Sequence, residues 1–229
     1  MVFLFDKPRA VELHSRALGT INTQRNGAYR VQRWIATLAG PLDLDEPKPE
    51  QIETDAFCEV LAGIPRFNRH TIRPYSVAEH SLLVRQILHQ LEPGNYTLAL
   101  AGLLHDGHEY ATGDIIAPVQ WILGAEAQQQ IKRLQRRIDE AICRKYGLPL
   151  ETLDDPRIHE ADMVARATEA RDLLVHQGAG REWHGLPDPL PGKIQRLGNE
   201  AVVKRLFRRE LVFLAGRVQL EQSTGGTDA

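Results

Sequence analysis

Beyond Pro49 the apolar residues recur every three to four positions, and a strict two-residue alternation is almost absent. That period is the signature of amphipathic helices packed on one another. In "ETDAFCEVLAGI" it puts Phe57, Val60, Leu61 and Ile64 on one stripe. "SVAEHSLLVRQILHQLEPG" opens with Ser76 and Glu79 at capping-box spacing and stops at Pro93-Gly94. Its predicted buried stripe is Val84, Ile87 and Leu91, with His80 on the same face. "YTLALAGLLHDGHEY" is apolar on nearly every side and reads as the central helix. "AEAQQQIKRLQRRIDEAICRKYG" turns Ile131, Leu134, Ile138 and Ile142 inward and ends at Gly147. Asp155 and Pro156 then stand as N-cap and first residue of a helix through "RIHEADMVARATEARDLLVHQ". The loop "GLPDPLPGK" leads to a last helix around "GNEAVVKRLFRRELVFLAGRVQL".

Upstream the pattern is weaker. "RWIATLAGPLDLDEP" reads as a short extended piece and a turn, with no convincing strand pair anywhere. Residues 1–32 read as an N-terminal extension without a predicted structure, residues 33–220 as one all-α helical domain, and residues 221–229 as a disordered tail. The chain has 229 residues, enough to bury one sizeable core.

Composition narrows the function classes. A formal net charge of −2 gives no field that would recruit nucleic acid or an anionic membrane surface. The basic stretches "KRLQRRIDE" and "KRLFRRE" sit on amphipathic helices and read as their wet faces, with an oligomer contact left open. Two cysteines, Cys58 and Cys143, make neither a disulfide framework nor a thiolate metal site. No apolar run is long enough to cross a bilayer, and the N-terminus does not read as a signal peptide. The expectation is a soluble, cytoplasmic protein.

Four polar residues stand where apolar helix faces predict burial: His80, His105, Asp106 and Asp162. Burying carboxylates and imidazoles is unfavourable unless something pairs with them. Two imidazoles and two carboxylates from three helices suit a divalent ion of the Mn, Fe, Co, Ni, Zn or Mg type. A His-Asp doublet alone reads more readily as a bonded core histidine beside a capping aspartate; the additional His and Asp change that balance. Glu109, four residues after His105, falls on the same face of the predicted helix and is a candidate general base, or else a surface glutamate of the last turn. Asp114 is a second acid/base carboxylate or, more simply, an N-cap. "PRFNRHTIRPYS" brings Arg66, Arg69, His70 and Arg73 just ahead of His80, a cation cluster suited to phosphate, or a solvated basic loop.

With these residues assembled, the chain resembles the HD-domain metal-dependent phosphohydrolases, and among them the 5'-deoxynucleotidase-like branch of bacteria and phages. The stretches that carry the resemblance are "RFNRHTIRPYSVAEHS", "GLLHDGHEYATGDIIAPV" and "HEADMVARATEARDLL", within a span of roughly residues 33–217. The resemblance implies a helical bundle in which His80, His105, Asp106 and Asp162 bind the metal. It implies that Glu109 and Asp114 assist the attacking water or leaving oxygen, that Arg66 binds substrate, and that Phe67 contacts base or sugar. The implied substrate is a nucleotide, either a deoxynucleoside monophosphate or a triphosphate cleaved as a unit, as in phage enzymes acting on dATP. Relatives of this kind are often homo-oligomeric. Three departures stand out: His108 replaces a small residue and becomes an added phosphate donor or ligand, Gln120 replaces a lysine, and the first 30 residues have no counterpart in the shorter relatives. The competing class is a non-catalytic helical binding or regulatory module that keeps a metal. Glu109 and Asp114 argue against it, since a site kept for structure alone does not need them.

Overall fold

Trp34–Thr37 (β1) and Gly40–Asp43 (β2) pair antiparallel, with Ile35 opposite Leu42 and Thr37 opposite Gly40. The computed structural model describes residues 32–175 and 185–224. The hairpin corrects the expectation that no strand pair exists. Its second strand is hidden in the sequence by Gly40-Pro41, which reads as loop; an unpartnered edge tolerates a proline that a central strand would not. The Thr37 hydroxyl donates to Gly40 O at 2.7 Å, Gly40 takes a φ of 128°, and Leu42 is fully buried.

Among the described residues the rest of the regular structure is helical. Thr54–Gly63 (α1) starts where the Glu53 carboxylate accepts from the N–H groups of Asp55 and Ala56. Val77–Leu91 (α2) starts at the predicted capping box, in which Ser76 and Glu79 bond reciprocally. Val84 and Ile87 are buried as expected, but Leu91 is exposed. The buried face follows the four-residue row from Val84 to Leu88 instead of the row through Leu91.

Tyr96–Leu104 (α3) is the central helix, with Leu98 through Leu104 all buried. It packs on α2 so closely that a Cβ on Gly102 would lie 2.2 Å from Leu88 Cδ1. The helix does not continue to Tyr110 as its apolar pattern predicts. His105 to His108 form a turn, closed by Gly107 N–H donating to Leu104 O at 2.8 Å, and Glu109–Thr112 (α4) is a single helical turn. Gly107 is required there, because a Cβ would meet Leu104 O at 2.9 Å and Ile142 Cδ1 at 3.1 Å.

Ala117–Tyr146 (α5) breaks at Gly124 (φ 85°, ψ 171°). The stretch predicted from Ala125 onward is its second half, which ends with Gly147 in the left-handed conformation. Pro156–Leu173 (α6) begins as predicted, with Asp155 capping the N–H of Arg157. Glu200–Thr224 (α7) runs four residues past the predicted domain end at 220, so the proposed tail from 221 begins as helix; residues 225–229, like 1–31, lie outside the described residues.

From Arg33 onward the described residues group into one compact unit, all-α apart from the hairpin. α3 lies against α2, α6 and α7, and α1 lies on α7. Phe57 joins the layers, with ring centroids 5.5 Å from Tyr110, 6.0 Å from Tyr146 and 6.2 Å from Phe207. Among the described residues no helix is long and apolar enough to cross a membrane.

Candidate metal centre and cavity

Three elements deliver the four predicted ligands. His80 lies in the first turns of α2 on its buried face, His105 and Asp106 in the turn that ends α3, and Asp162 on the second turn of α6. His80 Nε2 is 3.2 Å from His105 Nε2, 3.1 Å from Asp162 Oδ1 and 3.5 Å from Asp106 Oδ2. His105 Nε2 is 3.3 Å from Asp106 Oδ2. Donor atoms set about 2.1 Å from one ion and at right angles to each other stand about 3 Å apart, so these separations fit a shared cation. His80, His105 and Asp106 offer ligand atoms that all lie within 4.8 Å of one another. Asp162 joins them through His80, and its buried Oδ1 has no hydrogen-bond partner of good geometry. A buried carboxylate oxygen that faces imidazole nitrogens and lacks a well-aligned donor is suited to a cation. The donor set therefore fits a divalent ion.

The ligands are held from behind. His80 Nδ1 contacts Glu169 Oε1 at 2.6 Å, and His105 Nδ1 faces Gly102 O at 2.9 Å. Both rings thus turn Nε2 toward the centre, the arrangement that metal-binding histidines use. Arg66 Nη1 reaches Asp106 Oδ2 at 3.2 Å, and its Nη2 reaches Glu169 Oε2 at 3.6 Å. Tyr75 donates its hydroxyl to Glu169 at 3.0 Å, and Arg166 Nη2 holds Asp162 Oδ2 at 2.8 Å.

The electrostatics show how strongly this region favours positive charge. Burial and the Arg66 guanidinium disfavour the His80 imidazolium, yet the carboxylates of Glu169 and Asp162 raise its pKa to about 9. Burial alone would raise Asp106, but His105, His80 and Arg66 hold it well below the usual carboxylate range. Asp162 is lowered in the same way by His80 and His105, and Glu169 by His80, Arg66 and Tyr75. Glu109 moves in the opposite direction: burial and the Asp106 charge push it well above the usual range. Asp114 is also raised, mainly by burial.

A cavity of about 880 Å³ opens beside the ligands, lined by Arg66, Phe67, Asp106, His108, Glu109 and Asp114 among others. Its volume is in the range of small-molecule sites. The turn from α3 to α4, rather than a shared helix face, brings Glu109 there; this corrects the reasoning from its spacing to His105. Asp114 accepts from the Phe67 N–H, so it stands at the cavity and ties down the loop that carries Arg66, without capping the start of α5. Phe67, Asn68 and Arg69 all have left-handed backbone (φ 55°, 49° and 70°), a strained run for side-chain-bearing residues. It lets Arg66 turn inward with its guanidinium 5.7 Å from the Phe67 ring. Arg69 and His70, predicted as substrate contacts, are exposed and lie outside the cavity lining. They belong to the outer side of that turn.

Reasoning from the sequence missed Glu169, Asp139, Arg166 and Tyr75. Glu169 lies seven residues after Asp162, two turns along one helix face, and that spacing was a usable signal. Asp139 sits beside Ile138 on a face that also buries Ile142, an acidic residue on an apolar stripe. It holds His108, whose Nδ1 lies 3.1 and 3.2 Å from its two carboxylate oxygens. Gln120 turns its amide back to Ile115 O at 2.6 Å while lining the cavity.

No family model matches the chain. It is 36% identical to the uncharacterized protein RCAP_rcc00048 of Rhodobacter capsulatus over 165 residues, which cover 69% of this chain and 82% of that protein. It is 33% identical to the uncharacterized protein YfdR of Escherichia coli over 135 residues, covering 59% of this chain and 68% of YfdR. The chain belongs to the family of these bacterial proteins.

Proposed function

We propose that the chain is a metal-dependent phosphohydrolase of the HD-domain kind, acting on nucleotides. One observation carries the reading: four residues from three separated stretches bring imidazole and carboxylate donors within 3.1–3.5 Å of His80 or His105, and one of them, Asp106, lines a cavity together with Arg66, Glu109 and Asp114. His80, His105, Asp106 and Asp162 would hold a divalent ion, which would supply Lewis-acid polarisation of a phosphoryl oxygen and acidify water.

The protein's own groups do the rest. Glu169 and Gly102 O fix the ring orientation of the two histidines. Arg66 sets Asp106 in place and gives the cavity wall a permanent positive charge for phosphate. Glu109, with its raised pKa, is placed to move a proton between water and the leaving oxygen, and Asp114 stands as the second carboxyl group. The cavity has room for a nucleoside beyond its phosphate, and Phe67 and Trp121 in its lining offer aromatic faces to a base.

The test is one panel. Purified protein with Mn, Co, Mg or Zn is offered deoxynucleoside monophosphates, deoxynucleoside triphosphates and cyclic dinucleotides, and the products are resolved. Release of phosphate or triphosphate, lost in folded Asp106→Ala, is the expected result. No turnover with any metal or substrate would leave the competing metal-containing binding module and sink the enzyme reading.

A further inference from the structure

His108 has no part in the four-ligand centre, yet the protein commits a buried carboxylate to it. Asp139 comes from the core-facing side of α5, is 8% exposed, and places both oxygens within 3.2 Å of His108 Nδ1. His80 and His105 are each held through Nδ1 in the same way, by Glu169 and by Gly102 O. An imidazole whose Nδ1 is engaged by an acceptor has Nε2 left for a ligand, and a carboxylate behind a histidine is the usual support for a metal-binding ring.

The neighbours of His108 complete a donor set. One ligand atom each from Asp106, His108 and Glu109 lies within 4.8 Å of the others. Glu109 is 94% buried, lines the cavity, and its Oε2 has no hydrogen-bond partner. The contacts of Asp106 with His80, His105 and Arg66 all run through Oδ2, so Oδ1 remains for a second neighbour. Carboxyl groups also outnumber guanidiniums around the site, with Asp106, Glu109, Asp114, Asp139, Asp162 and Glu169 against Arg66 and Arg166.

We propose that the centre takes a second divalent cation, held by Asp106, His108 and Glu109, with Asp106 shared between the two ions. This rests on the reading of His80, His105, Asp106 and Asp162 as the first metal centre. A second ion would add charge stabilisation for a phosphoryl transfer. Glu109 would then serve as a ligand, leaving Asp114 as the carboxyl group placed to move the proton.

Mn²⁺ is the probe, on the full chain. Metal content after removal of free ion is read by mass spectrometry, and coupling between ions by low-temperature electron paramagnetic resonance. The expected result is two equivalents with a spin-coupled signal. His108→Ala and the milder His108→Gln should each hold one equivalent with an uncoupled six-line spectrum. Asp139→Asn, which keeps His108 but weakens its support, should bind the second equivalent about 10- to 100-fold more weakly. One equivalent in the unmodified protein, unchanged by either His108 substitution, overturns the second site and leaves the first standing. Two equivalents that survive both His108 substitutions overturn the assignment to His108. No bound Mn²⁺ at all overturns both sites.

Discussion

The metal centre, which meets the cavity at Asp106 and forms its floor there, and the mouth of the cavity are built in opposite ways. At the floor every ligand is tied from behind: His80 by Glu169, His105 by Gly102 O, Asp106 by Arg66 and Asp162 by Arg166. His80 and Glu169 are fully buried. At the mouth, Trp121 is 67% exposed and Ile122 87% exposed on the short first half of α5, which Gly124 separates from the rest. The Phe67–Arg69 turn there keeps a strained left-handed backbone. The floor holds atoms in fixed positions through polar bonds in a medium of low dielectric; the mouth presents exposed apolar and aromatic surface. Fixed polar geometry suits a reacting centre, and apolar surface without directional bonds suits the part of a ligand that varies.

Breaking the floor has the largest expected effect. Glu169→Ala removes the partner of His80, Arg66 and Tyr75 at once and leaves a buried guanidinium with fewer partners. A loss of about 3–5 kcal/mol in urea denaturation is expected, as for other broken buried pairs. A loss below about 1 kcal/mol would mean that the floor is not the rigid region. A smaller effect is expected at the start of α6, the helix that carries Asp162. Asp155→Ala removes the N-cap and should destabilise by about 1 kcal/mol at neutral pH. The Asp155 hydrogen bonds with Arg157 lower its pKa to about 2. The folded-state value lies below the unfolded one, so the stabilisation is present above about pH 4 and fades as pH falls toward 2. The gap between the two proteins should close over that window in pH-dependent melting; a gap that widens there contradicts the cap. The smallest effect belongs to the mouth. Arg69→Gly relieves a left-handed penalty of about 1–2 kcal/mol and adds the chain entropy of glycine, about 0.5–1 kcal/mol. The expected net is a stabilisation of about 0.5–1 kcal/mol, seen as a higher Tm, with nucleotide binding unchanged. Weaker binding would return Arg69 to the cavity from which its exposure separates it.

Much of this was legible along the chain, and the reasons differ by element. The starts of α2 and α6 were readable because Ser76, Glu79, Asp155 and Pro156 satisfy helix ends locally, within a few residues. The end of α3 was not, since leucine and alanine run up to His105 without a break, and the turn depends on Gly107 fitting against Leu104 O and Ile142. The hairpin was hidden because Gly40-Pro41 reads as loop, and only pairing with Trp34–Thr37 makes it a strand. The helical period fits the row through Leu91 as well as the row through Leu88, and packing buries the second.

The candidate site divides in the same way. The sequence by itself determined which side chains stand out as polar on apolar faces: His80, His105, Asp106 and Asp162. Helix periodicity is a local property, so a misplaced charge is visible within one turn. Which groups stand behind them was decided only by the tertiary structure. Glu169 against His80, Arg66 between Asp106 and Glu169, and Asp139 against His108 join residues 31 to 103 positions apart. No local rule specifies such a pairing; it follows from how α2, α3, α5 and α6 are oriented by the core they share.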